Sequence, residues 1–263
     1  MKQFLIISVA IIASVTDSLA INLFKKNDAE YFDYTAWVDT TELPSSANNG
    51  RPLFYPASGA DGAIICGQID LPGFSADNIF LSALNYATDN LDATDNREMI
   101  GDIDATENKF VLRLYSKQGS NNTETTFTRL MLIKAEDNRL LFTVYEIDVR
   151  YREKGILPRT LAFEKLNPTI NTRHRELVEL FAQINTNYIH DMTDNVSKCG
   201  VLEVTHWNEI RDKVVSVGMN ELEVKLILGR PVTTRDAGDR TRWVYPNNYV
   251  IIFQNNIVSR IVE

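Results

Sequence analysis

The side chains able to do chemistry at neutral pH are few in this chain: three histidines, two cysteines and a scatter of carboxylates. His174 stands between Arg173 and Arg175, which reads as an exposed helix start. His190 and His206 would need a third ligand to hold a metal, and their separation matches no standard zinc spacing. No serine sits in a G-x-S-x-G elbow, and a Cys–His pair would have to be assembled from distant parts of the chain. Asp89, Asp92, Asp95, Asp102 and Asp104 lack both the D-x-D-x-D-G order of a calcium loop and its closing glutamate. They read as a solvated loop and strand edge. Arg150, Arg152 and Lys154 can clamp an anion, since strand alternation puts both arginines on one face. The bland alternative is a salt-bridged edge strand. The pattern thus predicts no catalytic, metal or cofactor site.

Cys66 and Cys199 can pair in an oxidising compartment, and they would then close a very long loop. Two separate buried thiols are the other reading. Tyr31, Phe32, Tyr34 and Trp37 cluster near the start, either as packing residues or as a binding patch.

The elements that must position these residues follow from periodicity. Residues 21–61 are rich in turn formers, with one short strand expected at 34–38. A strand is expected at 63–71, stopped by Pro72 and Gly73. Ser75 then caps a helix to about residue 91, whose Ile79, Phe80, Ala83, Leu84, Ala87 and Leu91 share one face. Strands follow at 99–105, 109–115, 125–135 and 140–152. The third needs a slip to bring Phe127 and Leu130 to one side, and the fourth sets Val144, Glu146 and Asp148 against Tyr145, Ile147, Val149 and Tyr151. A helix at 171–190 buries Leu177, Leu180, Phe181, Ile184 and Tyr188. This order predicts an α+β fold, an antiparallel sheet with helices on one face. The rhythm changes near 199–203. Helices are expected at 206–217 and 219–228, the second closed by Gly229 and Pro231, and then a three-stranded meander at 240–245, 249–254 and 257–262. The expected organisation is a signal peptide at 1–20, an irregular lead-in at 21–61, one domain at 62–200 and a second at 201–263.

Lys2, the apolar run at residues 4–15, and the small Ser18 and Ala20 form a cleavable export signal, with cleavage after Ala20. The run is too short to span a membrane as a helix, which takes about 20 apolar residues. No cysteine lies near the cleavage point, so lipid attachment is not expected. The chain is expected to be periplasmic or secreted, with no transmembrane segment in its mature form. Its 44% hydrophobic content is ample for a core. The net charge of −8 disfavours nucleic acid, whose phosphates call for Lys and Arg. From Glu203 onward eight Lys/Arg balance eight Asp/Glu, so the whole acidic excess lies before it.

The C-terminal residues carry a resemblance. Val217-Gly218-Met219, Glu223-Val224, Leu228-Gly229-Arg230-Pro231, Arg242-Trp243-Val244-Tyr245, Val250-Ile251-Ile252-Phe253 and Asn256-Ile257-Val258 occur in the order of the SmpA/OmlA (BamE-like) family of outer-membrane assembly accessory proteins. The resemblance spans 50 to 60 residues. It implies a helix–helix–meander fold and binding rather than catalysis, but the lipid-carrying cysteine of the namesake proteins is missing. More weakly, the 75–91 helix, the segment 96–104 and the run 128–153 resemble a TATA-binding-protein-like (TBP-like) domain of unknown function found in exported bacterial proteins. The function expected is a non-enzymatic module for protein binding or envelope assembly. Its partner would be another envelope or secreted protein, met through Trp243, Tyr245, Tyr249, Phe253, Arg150 and Arg152. The alternatives are a hydrolase-type envelope enzyme with its site at the domain junction, and a structural envelope protein.

Overall fold

Alternating apolar residues between 62 and 151 pair into one antiparallel sheet. The computed structural model describes residues 57–59, 62–91, 99–119, 124–152, 157–166 and 171–262. The export segment 1–20, the expected strand at 34–38, the four clustered aromatics near it, Asp92, Asp95 and Lys154 lie outside the described residues. The first part runs β1 (Ala57–Gly59), β2 (Gly62–Asp70), α1 (Ala76–Asn90), β3 (Met99–Asp104), β4 (Lys109–Gln118), β5 (Thr125–Glu136), β6 (Arg139–Tyr151), β7 (Arg159–Ala162) and α2 (Thr172–Lys198). The second runs α3 (Trp207–Asp212), α4 (Glu221–Leu228), β8 (Thr233–Ala237), β9 (Arg240–Val244), β10 (Val250–Gln254) and β11 (Ile257–Val262). The fold is mixed α/β, with antiparallel sheets and few helices.

The larger sheet has the order β1-β2-β6-β5-β4-β3, and β7 pairs with the far half of β6. Helices α1 and α2 pack on each other and on one sheet face. Ser75 caps α1 as expected, its hydroxyl accepting from the Asn78 N–H. The turn between β5 and β6 adds a second hold on that end, because Asp137 Oδ1 accepts the Ala76 N–H at 2.9 Å and Asn138 Oδ1 accepts that of Gly73 at 2.8 Å. Across the helix pair, Asn195 Nδ2 donates to the Ser82 carbonyl at 3.1 Å, and the Tyr86 and Tyr188 rings meet edge to face.

Two expectations for the strands are corrected together. The slip lies in β6, not in β5. Strand β5 keeps Phe127, Arg129, Met131, Ile133 and Ala135 inward without interruption. Thr128 and Leu130 of β5 pair with Asp148 and Tyr145 of β6, which leaves one extra residue on β6, and Glu146 there takes a positive φ of 49°. Val144 therefore faces inward along with Ile147, Val149 and Tyr151. The expected inward Leu130 is only half-buried, and Arg129 takes the inward place.

Helix α2 runs to Lys198, well past the expected 190, because Ile189, Met192 and Val196 continue the buried stripe. Asn185, Thr186 and Thr193 lie in that stripe too, while Leu180, Ile184 and Tyr188 pack only at its margin. The helix expected at 206–217 ends at Asp212, where Lys213 turns left-handed at φ 56°. The second expected helix starts at Glu221, capped by Asn220. The expected three-stranded meander is a four-stranded sheet, β11-β10-β9-β8. Its extra strand, Thr233–Ala237, is exposed throughout and carries no apolar alternation, so periodicity does not reveal it. The Asn255-Asn256 turn is as expected, with both residues at positive φ, the geometry of a tight hairpin. Gly229 closes α4 at φ 72°, ψ −160°, a region essentially reserved to glycine. Among the described residues no helix is long and apolar enough to cross a membrane.

One close approach in the larger sheet yields a prediction. Gly67 lies directly opposite Phe142, whose ring fills the space above it, and a Cβ at 67 would come within 2.4 Å of that ring. Phe142 is buried and has little room to yield. Gly67→Ala should therefore destabilise the protein by about 1–3 kcal/mol, read as a lower urea midpoint at unchanged slope.

Candidate functional site

Strand alternation after the bulge decides where Arg150 and Arg152 go. Tyr151 points inward and is buried, with its hydroxyl 3.3 Å from His174 Nε2. Arg150 is exposed on the opposite side, and Arg152 is half-buried just past the strand. Together with Glu124, Tyr151 and Pro158 they line a cleft of about 230 Å3. Its acid is already engaged: the Glu124 carboxylate is 2.7 Å from Lys117 Nζ, and the Glu124 carbonyl accepts the Arg152 N–H. The hydrogen bond from Lys117 holds that carboxyl below its ordinary range against the small cost of burial, helped by the charges of Lys117, Arg150 and Arg152. The cleft is a cationic bracket with an internal counter-charge. His174 is committed to α2's first turn and to Tyr151, and Arg173 beside it bonds Glu176 and Thr125.

The aromatic residues expected on an interaction surface turn inward. Trp243 is 4% exposed and Phe253 0%, with ring centroids 4.5 Å apart, and Tyr245 is buried beside them. Tyr245 donates its hydroxyl to the Gly229 carbonyl at 3.0 Å. Burial, then the neighbouring Glu221 and Tyr249, push its phenol far above the ordinary range. Tyr249 is half-buried against the same core. The reason is the strand period, which sends Trp243 and Tyr245 beneath α4. The opposite face of this sheet carries Arg235, Arg240, Arg242 and Arg260, all exposed. None of the four stands out in the sequence as a binding residue. Arg240 and Arg242 were legible as the alternates of Trp243, but Arg235 lies on the strand that periodicity does not reveal.

The most concentrated polar cluster is at Glu223, whose side chain is 1% exposed. Its Oε1 accepts the N–H groups of Thr205 at 2.6 Å and His206 at 2.9 Å, and it lies 3.0 Å from His206 Nδ1. Its Oε2 accepts the Asn220 N–H at 2.8 Å, while Asn220 Oδ1 accepts the Glu223 N–H, a complete capping box. Asn220 Nδ2 also donates to the Glu203 carbonyl. The carboxylate thus ties Thr205 and His206, and the Asn220 amide ties Glu203, to the start of α4. Burial alone would push the Glu223 carboxyl up, but the N–H donors of Asn220, Thr205 and His206, with the His206 ring, outweigh it and hold it low. Chemically this is a hydrogen-bonded clamp on backbone.

Two residues on, Lys225 links the two sheets. Its ammonium is 2.6 Å from Asp89 at the end of α1 and 5.7 Å from the centre of the Trp243 ring. Beside it the Phe80 and Trp207 rings meet at 6.1 Å, and Leu226 packs on the larger core. Glu221 lies in the same neighbourhood. Burial raises its carboxyl above the ordinary range, Lys225 opposes this, and Asp236 and Asp89 add to it.

The remaining candidates are dispersed. Asp104 organises its own turn, accepting from the Thr106 hydroxyl and from the N–H groups of Thr106 and Glu107. Among the described residues no group of three or more His, Cys, Asp or Glu side chains is placed to hold a metal. Cys199 is a free thiol at the end of α2, with Asn195 Nδ2 3.2 Å from its sulfur; Cys66 lies on β2, and its side chain is outside the described set.

No family model matches the chain, and no curated protein matches it. Two solved structures are similar. A TBP-like protein from Parabacteroides distasonis ATCC 8503 shares 11% identity over 54% of this chain and 96% of that one, with a TM-score of 0.47. A DUF4468 family protein from Bacteroides ovatus ATCC 8483 shares 12% identity over 62% of this chain and 99% of that one, with a TM-score of 0.42. Neither supports the C-terminal resemblance to BamE-like proteins.

Two predictions follow from the clamp and the link. The folded state holds the Glu223 proton less tightly than the unfolded chain does. Its stabilisation is therefore complete above the ordinary value of 4.5 and is lost as pH falls through the lower folded value. Glu223→Gln should cost about 1–3 kcal/mol at neutral pH and flatten the acid limb of a tryptophan-fluorescence unfolding curve. For the link, a double-mutant cycle of Asp89→Asn and Lys225→Met in urea should give a coupling of about 0.5–1 kcal/mol, because Asp89 remains partly exposed.

Proposed function

We propose that this protein is an exported, non-enzymatic protein-binding module of the cell envelope, working in the periplasm or outside the cell. In this reading residues 62–200 form a TBP-like unit and residues 201–263 a BamE-like one, each with its own hydrophobic core. The observation that carries the reading is how the most concentrated titratable group is used. Glu223 and the His206 Nδ1 face each other, but the carboxylate is spent on backbone N–H groups that fix a linker and a helix start. An acid–base pair built for turnover needs a substrate proton within hydrogen-bond reach; this one is turned onto its own chain. The junction between the sheets, where an enzyme site is the alternative, is filled by Phe80, Trp207 and Leu226, and its lysine is paired with Asp89.

The test uses the mature chain as bait in envelope extract, followed by calorimetry of the purified captured protein with the purified bait. Saturable binding with both proteins chemically unchanged is expected. Turnover of a cell-wall substrate by the pure protein, lost in His206→Asn at unchanged melting temperature, would overturn the reading.

A further inference from the structure

We propose that the outer face of the smaller sheet is the docking surface, and that it grips an acidic patch on a different protein through Arg235, Arg240, Arg242 and Arg260. This rests on the protein-binding reading above and names the face and the chemistry of the partner.

Register builds the surface. Arg235 lies opposite Arg242, Arg242 opposite Ile252, and Ile252 opposite Arg260. One row therefore crosses all four strands with arginine at three of its four places. With strands about 4.8 Å apart, the row is about 14 Å long. Arg240, two residues before Arg242 on the same face, extends the patch about 7 Å along the strand. Ile252 supplies a half-buried apolar seat in the middle.

The arrangement is costly in isolation. Directly opposed like charges destabilise a sheet pair, and Arg235 and Arg242 are such a pair. Among the described residues no ion pair or hydrogen bond engages any of the four side chains. Nor do the nearby acids reach this face: Asp236 alternates to the other side of β8, opposite Thr241, and Asp239 sits in the turn. From Glu203 onward the chain is neutral, yet half of its eight cations are gathered here. A surface that carries unpaired, mutually repelling charge gains stability when carboxylates arrive.

Two features choose the partner. All four cations are arginine, whose planar fork matches a carboxylate in a bidentate pair. The patch is also short and attached to a chain of net charge −8 whose acidic excess lies in the other part. A long polyanion or an anionic lipid surface would run past the patch into that charge. A compact acidic patch on a folded protein or an extended acidic segment would not.

The experiment uses the full mature chain and a fluorescein-labelled octaglutamate peptide at low ionic strength. Single-stranded DNA and phosphatidylglycerol vesicles serve as competing probes. The peptide should bind, and the triple variant Arg235→Glu, Arg242→Glu, Arg260→Glu should weaken it by at least about tenfold. Lys198→Glu with Arg211→Glu, exposed cations outside this sheet, should leave it unchanged. The triple variant should melt close to the parent, since the exchanged side chains are exposed and the opposed pair at 235 and 242 stays a like-charge pair. An octalysine peptide should bind the triple variant more tightly than the parent, whose acidic excess lies before Glu203. Unaltered octaglutamate binding by the triple variant overturns the proposal. So does tighter binding of DNA or vesicles, or self-association lost in the triple variant. A captured envelope protein that binds parent and triple variant equally would sink this face and leave the binding-module reading standing.

Discussion

Strand β6 must keep one side dry over its thirteen residues while changing neighbours halfway along. Its first half pairs with β2 and its second with β7. An uninterrupted strand would satisfy the period-2 rule on only one side of the slip in its own sequence, because Val144 and Ile147 are three apart and both are apolar. The extra residue at Glu146 absorbs the mismatch at positive φ. Ile147, Val149 and Tyr151 can then join Val144 under the helices. The same bulge sends Arg150 outward and gives the cleft its charge. The core of the larger sheet and its most visible cationic feature therefore depend on one backbone irregularity.

That irregularity has a partner inside the sheet. Arg129 stands across from the bulge, inward and 2% exposed. A buried guanidinium is expensive unless its donors are used. Here Nε donates to Asn185 Oδ1 at 2.6 Å, one terminal nitrogen donates to the Ser116 hydroxyl, and the group lies 6.0 Å from the centre of the Phe181 ring. Asn185 in turn donates to the Phe181 carbonyl. This explains why polar Asn185 lies in the dry stripe of α2. The asparagine and the arginine satisfy each other, and the long helix is registered on the sheet by a polar contact as well as by packing.

How much of this was legible follows from the type of signal. Helix α1, its Ser75 cap and the four long strands were readable because period and punctuation agreed. The placement of the slip was not. Apolar alternation shows that a mismatch exists, but an arginine is assumed to face water, so the slip was assigned to β5 instead of β6. Short pieces without apolar alternation, such as β7 and β8, leave no periodic trace. The extent of α2 past residue 190 was hidden because polar Thr193 shares the buried face with Met192 and Val196. The Glu223 clamp was half legible: Asn220 and Glu223 have the spacing of a capping box, but nothing local says that Thr205 and His206 fold back onto the same carboxylate.

The alternation in β9 carries the functional argument further than the aromatics themselves do. Trp243 and Tyr245 were notable as large residues at every second position, and that spacing is what buries them. A strand has two faces, so a fixed inward set fixes the outward one. Once Trp243 meets Phe253 beneath α4, Arg240 and Arg242 can only face solvent, and the pairing of β8 and β11 brings Arg235 and Arg260 alongside. The aromatic core thus determines the register, and the register aligns the arginines. A substitution that slipped β9 by one residue would expose the tryptophan and bury charge, so folding holds the cationic face in place. The proposed docking face then requires no separate scaffold: it is the solvent side of the constraint that makes the core.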